Sequence, residues 1–335
     1  MLVSKTKSWV KKALLRTSVL GAAARFAPPG AVVLMYHSIV EDPRATDHIL
    51  GVSRDRASFA AHMETLARHF SPVSLDEVAQ FAKSGRQLPQ RAVAVTFDDG
   101  FADNYDVALP ILERYGIPAT FYIMVDAVAN GWLPWYCRVR FAFNTTRKPQ
   151  WENQETKRNY QLDSPELRTT AMTAAWETAA RLTGSLQLDF VSGIEKSLEI
   201  EPVAAPHGFM MSWEQVRSLR KAGHIVGAHT LSHPNLAHVS EYEARSEIIG
   251  SQKRLEMEMG EPVEHFSYPH PALNPQWSNQ TLNITREAGF KSAVLTTRGP
   301  VRAGDDPLAL RRIGTPANLD QFTWNLQCTF LGRSS

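Results

Sequence analysis

One local pattern recurs along this chain and restricts the folds open to it: a helical segment closes on glycine, and a short apolar strand follows at once. It stands as Tyr115-Gly116-Ile117-Pro118-Ala119-Thr120-Phe121, as Ala222-Gly223-His224-Ile225-Val226-Gly227, and as Ala288-Gly289-Phe290-Lys291-Ser292-Ala293-Val294. Glycine just past a helix takes the left-handed conformation that closes it. The β-rich run after it reads as a buried strand. Helix starts agree, since Ser74-Leu75-Asp76-Glu77, Ser212-Trp213-Glu214-Gln215 and Ser240-Glu241-Tyr242-Glu243 each fit a capping box. Helices alternating with buried strands predict an α/β fold on a parallel sheet, open or closed into a barrel.

Residues 127–208 interrupt this rhythm. They hold the aromatic cluster Trp132, Trp135, Tyr136, Phe141 and Phe143, a polar stretch near 147–160, and helical sequence with Leu167, Met172, Trp176 and Leu182. This segment reads as a helical insertion between two strands of the main domain, its aromatics forming either a core or a lid that stacks on sugars. The expected division is a leader over 1–29, the main domain over 30–126 and 209–320, and a tail over 321–335. The leader carries Lys5, Lys7, Lys11, Lys12, Arg16 and Arg25 with no acid before residue 25. Arg16 breaks the apolar run a secretory signal needs. The leader is therefore either a basic amphipathic helix resting on an anionic membrane surface or a solvated segment. The expected location is cytoplasmic or peripheral to the membrane. A formal net charge of +2 gives no polyanion signal, so no nucleic-acid partner is expected. Cys137 and Cys328 form no metal or redox motif and read as small buried hydrophobes.

The chemistry lies at two strand ends. Ala92-Val93-Ala94-Val95-Thr96-Phe97 looks buried on both faces and runs straight into Asp98-Asp99-Gly100. Two adjacent carboxylates there repel each other and are costly to bury; a cation or a catalytic role offsets the cost, whereas helix capping is the ordinary alternative. Asp103 is the better cap candidate. The second site, His229-Thr230-Leu231-Ser232-His233, follows the strand Ile225-Val226-Gly227-Ala228. Two histidines four residues apart suit chelation of one metal, and in parallel barrels the shared rim of strand ends carries the active site.

Val95-Thr96-Phe97-Asp98-Asp99-Gly100-Phe101 resembles the first motif of the polysaccharide deacetylases, the NodB-homology or carbohydrate esterase family 4 enzymes, and His229-Thr230-Leu231-Ser232-His233-Pro234 resembles their second. The flanks agree, in Ala108-Leu109-Pro110-Ile111-Leu112 and Met211-Ser212-Trp213-Glu214-Gln215. The resemblance covers about residues 30–125 and 208–315. It implies a distorted (β/α) barrel and a divalent metal, zinc first, with cobalt, nickel and manganese as alternatives. Asp99, His229 and His233 would hold the metal and Asp98 would be the general base. Phe266-Ser267-Tyr268-Pro269-His270 resembles the third motif, so Tyr268, Pro269 and His270 would bind substrate, with the His270 N–H on the oxyanion. Here the chain departs from the family: Ser267 stands where an Arg is usual, and Pro271 where a Gly is usual. Arg311 or Arg312 would then orient Asp98.

The family's late Leu-x-His, which supplies its general acid, is missing; Leu310-Arg311-Arg312-Ile313 stands there instead. Near the front, Val32-Val33-Leu34-Met35-Tyr36-His37 looks like another strand ending in His. Some branches of the family resemble circular permutants, which would make His37 the general acid, facing the metal across the cleft from Asp98. His207, His224, His238 and His265 lack such a context and read as structural. The activity implied is removal of acetyl groups from amino sugars of a polysaccharide or glycan. An O-acetyl esterase and a catalytically weak glycan-binding member of a polysaccharide assembly system are the rivals.

Overall fold

The computed structural model describes residues 28–46, 49–51, 53–201 and 208–333. Seven strands follow one another around the central sheet: β1 (Ala31–Tyr36), β2 (Ala92–Phe97), β3 (Ala119–Ile123), β4 (Ile225–Ala228), β5 (His265–Ser267), β6 (Ser292–Val294) and β7 (Arg312–Gly314). Their order is β6-β5-β4-β3-β2-β1-β7 and every pair is parallel. The two-residue strand Ser71–Pro72 pairs with the start of β2, off this path. A parallel bridge between Val294 and Leu310 joins β6 to the chain entering β7, so the sheet is a nearly closed barrel. The front strand β1 lies between β2 and the last strand β7.

Alternation along the strands separates two cores. Ala31, Val33, Ala92, Ala94, Tyr122, Ile225, Val294 and Leu310 cluster inside the barrel, with Leu75, Val78 and Phe81 of helix α2 (Leu75–Ser84) packed on them. Val32, Leu34, Val93, Val95, Phe97 and Phe121 face outward and pack with helices such as α1 (Arg56–His69), through Phe59, Met63 and Leu66. Small residues make the interior spacious enough for large ones. Gly227 illustrates this: a Cβ there would sit 2.6 Å from Cδ1 of Tyr122. All three expected capping boxes form, and Gly116, Gly223 and Gly289 take φ of 62°, 88° and 83° at the expected helix ends.

Between β3 and β4 the chain builds α3 (Trp135–Thr145), an antiparallel hairpin of Gln150–Asn153 with Arg158–Gln161, α4 (Pro165–Ala179) and α5 (Gly184–Ser197). The hairpin occupies the stretch that reads as a polar connection in the sequence. Its signal is weak because Trp151 is nearly the only apolar residue it buries, stacked on Tyr160. These elements share a core of their own containing Trp135, Phe143, Trp151, Met172, Val191 and Ile194. Arg138 of α3 ties them together through a two-pronged ion pair with Glu195 of α5, at 2.8 and 2.6 Å.

Asp103 does not cap a helix as expected. Its carboxylate accepts hydrogen bonds from Ser38 Oγ, the Ile39 N–H and Asn104 Nδ2, fixing the turn after β1. Cys137 and Cys328 are free and buried. No helix among the described residues is long and apolar enough to cross a membrane. The leader up to residue 27 and His207 lie outside the described residues.

Candidate active site and metal centre

Because all seven strands are parallel, their carboxyl ends share one rim. A cavity of about 460 Å³ opens there. Its walls include His37 after β1, Asp98 and Asp99 after β2, His229 and His233 after β4, and His270 and Pro271 after β5. The insertion adds Tyr136, Arg140 and Trp176.

Asp98 is 2 % exposed, and a lone carboxylate buried so deeply would be strongly destabilised. Arg312, fully buried itself, answers it: Nη1 donates to Oδ1 and Nη2 to Oδ2, both at 2.7 Å. Thr96 Oγ1 and Ser267 Oγ take further guanidinium hydrogens at 3.1 Å, and the Leu295 carbonyl accepts from Nε. Burial works to raise the Asp98 carboxyl, but Arg312 and then His229 outweigh it and hold the group below the usual carboxylate range. The arginine the family carries before its Tyr-Pro is thus replaced from a different strand, and small Ser267 leaves the room it needs. Arg311, the other expected candidate, is excluded: one residue along a strand reverses the side chain, and Arg311 pairs with Asp305 at 2.7 Å, away from Asp98.

Asp99 Oδ1 lies 3.4 Å from His229 Nε2 and 3.5 Å from His233 Nε2. It is buried without a hydrogen-bond partner among the described residues, and the three ligand atoms lie within 4.8 Å of one another. A tetrahedral ion with ligands at about 2.0–2.1 Å separates them by roughly 3.3–3.4 Å, so an orphaned oxygen facing two imidazole nitrogens fits a divalent cation. His229 supports this: Nδ1 stands 2.7 Å from the Ser267 carbonyl, which makes Nδ1 the protonated nitrogen and frees Nε2. Burial disfavours charge on both histidines; Asp98 and Asp99 reverse that at His229, whose pKa is raised, but not at His233, pushed down to about 3. A neutral imidazole is the form that binds metal.

The backbone is forced into place here. Asp99, Thr230 and His233 take φ of 80°, 66° and 63°, in the left-handed region that side chains disfavour. Such strain persists only where surroundings impose it. Glu247, from α6 (Glu241–Met259), imposes it on the histidine loop: its carboxylate accepts from the N–H groups of Leu231 and Ser232 and from Ser232 Oγ. Burial raises the Glu247 carboxyl to about 7. Trp135 Nε1 donates to the His233 carbonyl at 3.2 Å, pinning the insertion to the same loop. Nothing in the sequence distinguishes Glu247 from its acidic neighbours on α6.

The remaining expected residues separate. His37 lines the cavity, its carbonyl held by Asn104 Nδ2 at 2.7 Å, and its charge acts on Asp98, Asp99 and His233. Tyr36 pairs with Phe97, so β1 brings His37 to the rim next to the strand that ends in Asp98. His270 is exposed on the cavity wall. Tyr268 borders the cavity too, but its ring is fully buried against Phe266 with its hydroxyl on Thr285 Oγ1, so it offers substrate no polar group. Pro269 is buried and does not line the cavity. Among the insertion's aromatics, Trp135 and Phe143 are core, while Tyr136 and Trp176 face the cavity. His224 and His265 are structural, bonded to the Ala119 N–H and to Ser292 Oγ.

The family model described as "Polysaccharide deacetylase" matches residues 85–293. The YxkH protein of Bacillus subtilis, named for the same family, is 20% identical over 287 residues, 85% of this chain and 71% of its own. The poly-beta-1,6-N-acetyl-D-glucosamine N-deacetylase of Escherichia coli K12 is 34% identical over 94 residues, but these span 28% of this chain and 13% of that protein. The Streptococcus pyogenes deacetylase PplD, solved with acetate, superposes with a TM-score of 0.59 at 19% identity, over 90% of this chain and 99% of that one. IcaB from Ammonifex degensii gives 0.58 at 19%, over 90% and 98%. With both motifs on one rim and a family match over most of its length, this chain belongs to the polysaccharide deacetylase family.

Proposed function

We propose that this protein is a metal-dependent N-deacetylase that releases acetate from amino sugars of an N-acetylated polysaccharide or glycan. The observation that carries the reading is the pairing at the cavity floor of a charge-held carboxylate, Asp98, with the converging donor set of Asp99, His229 and His233. Relatives named as N-acetyl-D-glucosamine deacetylases and a structural neighbour holding acetate support it.

Asp99, His229 and His233 would hold a divalent ion, zinc by donor set, with cobalt, nickel or manganese also suited. When bound, such an ion polarises a carbonyl and acidifies water. Asp98, kept ionised by Arg312, takes the proton of the attacking water. The His270 N–H meets the acetyl oxygen as charge develops on it. His37 donates a proton to the amine nitrogen as the C–N bond breaks, so that acetate and a free amino sugar leave. The test is acetate release across N-acetylated and O-acetylated glycans, with metal removed and restored. Release from N-acetylated glycans that stops with chelator and returns with metal is expected. Release from O-acetylated glycans alone would make the protein an esterase, and release from none would leave a glycan-binding role.

A further inference from the structure

Besides Asp99 Oδ1, a second buried oxygen beside the donor set has no hydrogen-bond partner among the described residues: the hydroxyl of Tyr136. Tyr136 belongs to the insertion, outside every motif that marks the family. Two contacts hold it in place. Trp135, one residue before it, is bonded to the His233 carbonyl, and the Tyr136 carbonyl accepts from Trp176 Nε1 at 3.2 Å. The Tyr136 ring lies 5.1 Å from the His233 ring and lines the cavity. A buried phenol without a partner loses its hydrogen bond to water and gains nothing in exchange, a cost of about 1–3 kcal/mol. A packed protein tolerates that cost where a ligand supplies the partner.

Asp99 Oδ1 faces two imidazole nitrogens and, like the phenol, meets no hydrogen-bond geometry with a partner among the described residues. A tyrosine hydroxyl carries its proton near neutral pH and so can donate. We propose that Tyr136 is a catalytic residue supplied by the insertion, whose hydroxyl donates a hydrogen bond to the acyl oxygen as it becomes negatively charged. This rests on the deacetylase reading above. The insertion thereby takes part in the chemistry, because α3 lines the same cavity as the rim segment after β5.

The test is Tyr136→Phe, which keeps the ring and removes the donor. Three quantities are measured: bound metal, kcat and KM on an N-acetylated oligosaccharide, and acetate affinity by equilibrium titration of the metal-loaded protein. The expected result is unchanged metal content and KM, kcat lower by about 10²-fold, and acetate bound several-fold more weakly. Metal lost along with rate would mean that Tyr136 only holds Asp99 in place, and unchanged kcat and acetate affinity would mean that it does nothing in the reaction; either overturns the proposal. The acetate titration needs no turnover. A wild type that binds acetate more tightly than the variant yet cleaves no amide would sink the substrate reading while leaving the Tyr136 donor standing.

Discussion

Arg312 and Asp98, 214 residues apart in the chain, meet inside the barrel through two hydrogen bonds of 2.7 Å. The pair binds the last strand to the second one across β1, and it fixes the orientation and ionisation of the proposed base together. Arg312→Met should lower kcat by at least about 10²-fold through loss of orientation. It should also destabilise the fold by about 3–5 kcal/mol, because a buried carboxylate is left unpaired. Urea unfolding and acetate release measure the two losses separately. Ser267 already contacts the guanidinium, so Ser267→Arg added to Arg312→Ser should recover part of the rate. A double variant no faster than Arg312→Ser would show that the position of the guanidinium, and not merely its presence, matters.

Asp98 and Asp99 are neighbours with different proposed roles, and substitution should separate them. Asp99→Ala, His229→Ala and His233→Ala should each lose metal and activity together, read by metal analysis of the dialysed protein. Asp98→Asn should keep metal and lose most of the rate, since an amide cannot accept the water's proton. Stoichiometric metal in His233→Ala, or near-normal turnover in Asp98→Asn, would each refute one assignment.

His37 and Asp98 line one cavity, and on the proposed mechanism they work in opposite protonation states. The rate is therefore expected to rise with pH as Asp98 ionises, at lower pH than an ordinary carboxylate. His37→Ala should keep metal, slow amide hydrolysis by about 10²–10⁴-fold, and spare an activated ester, whose leaving group needs no proton. Equal losses on amide and ester would assign His37 to binding or structure instead.

Glu247 connects the histidine loop to global stability. Its carboxyl is raised to about 7 in the folded state from an ordinary 4.5, so the folded protein binds this proton more tightly than the unfolded chain does. The resulting stabilisation is complete below about pH 4.5 and is lost as pH rises through about 7. With chelator present, wild-type unfolding free energy should fall by roughly 2–3 kcal/mol more than that of Glu247→Gln between pH 5 and 8. Parallel pH profiles for the two proteins would rule this out. In the metal-loaded form Glu247→Gln should also weaken metal binding, because an amide cannot accept from both N–H groups and the Ser232 hydroxyl.

Much of this protein can be read along the chain. The three capping boxes, the Gly116, Gly223 and Gly289 helix ends and the buried runs at 92–97 and 225–228 are local, set by backbone conformation and side-chain periodicity within a few residues. The Asp98-Asp99 and His229-His233 candidates are also local, since a strand that ends in charged or chelating residues carries its own signal. Asp103 went the other way: its neighbours in sequence suit a helix cap, yet Ser38 and Ile39, brought in by β1, offered its carboxylate better donors.

Pairings between distant segments were decided by the closed sheet alone. In sequence Arg311 and Arg312 are equivalent, one residue apart; the register of β7 against β1 sends Arg312 inward to Asp98 and Arg311 outward to Asp305. Tyr268 sits in a motif-like run, yet its ring turns into the core because the space beneath α7 (Asn279–Glu287) accepts it and Thr285 satisfies its hydroxyl. Glu247, Trp135 and Tyr136 reach the histidine loop from elements up to about a hundred residues away, so no spacing in the sequence could announce them. A strand fixes what its own residues can offer; which of them meet depends on barrel closure and register, which are properties of all seven strands at once.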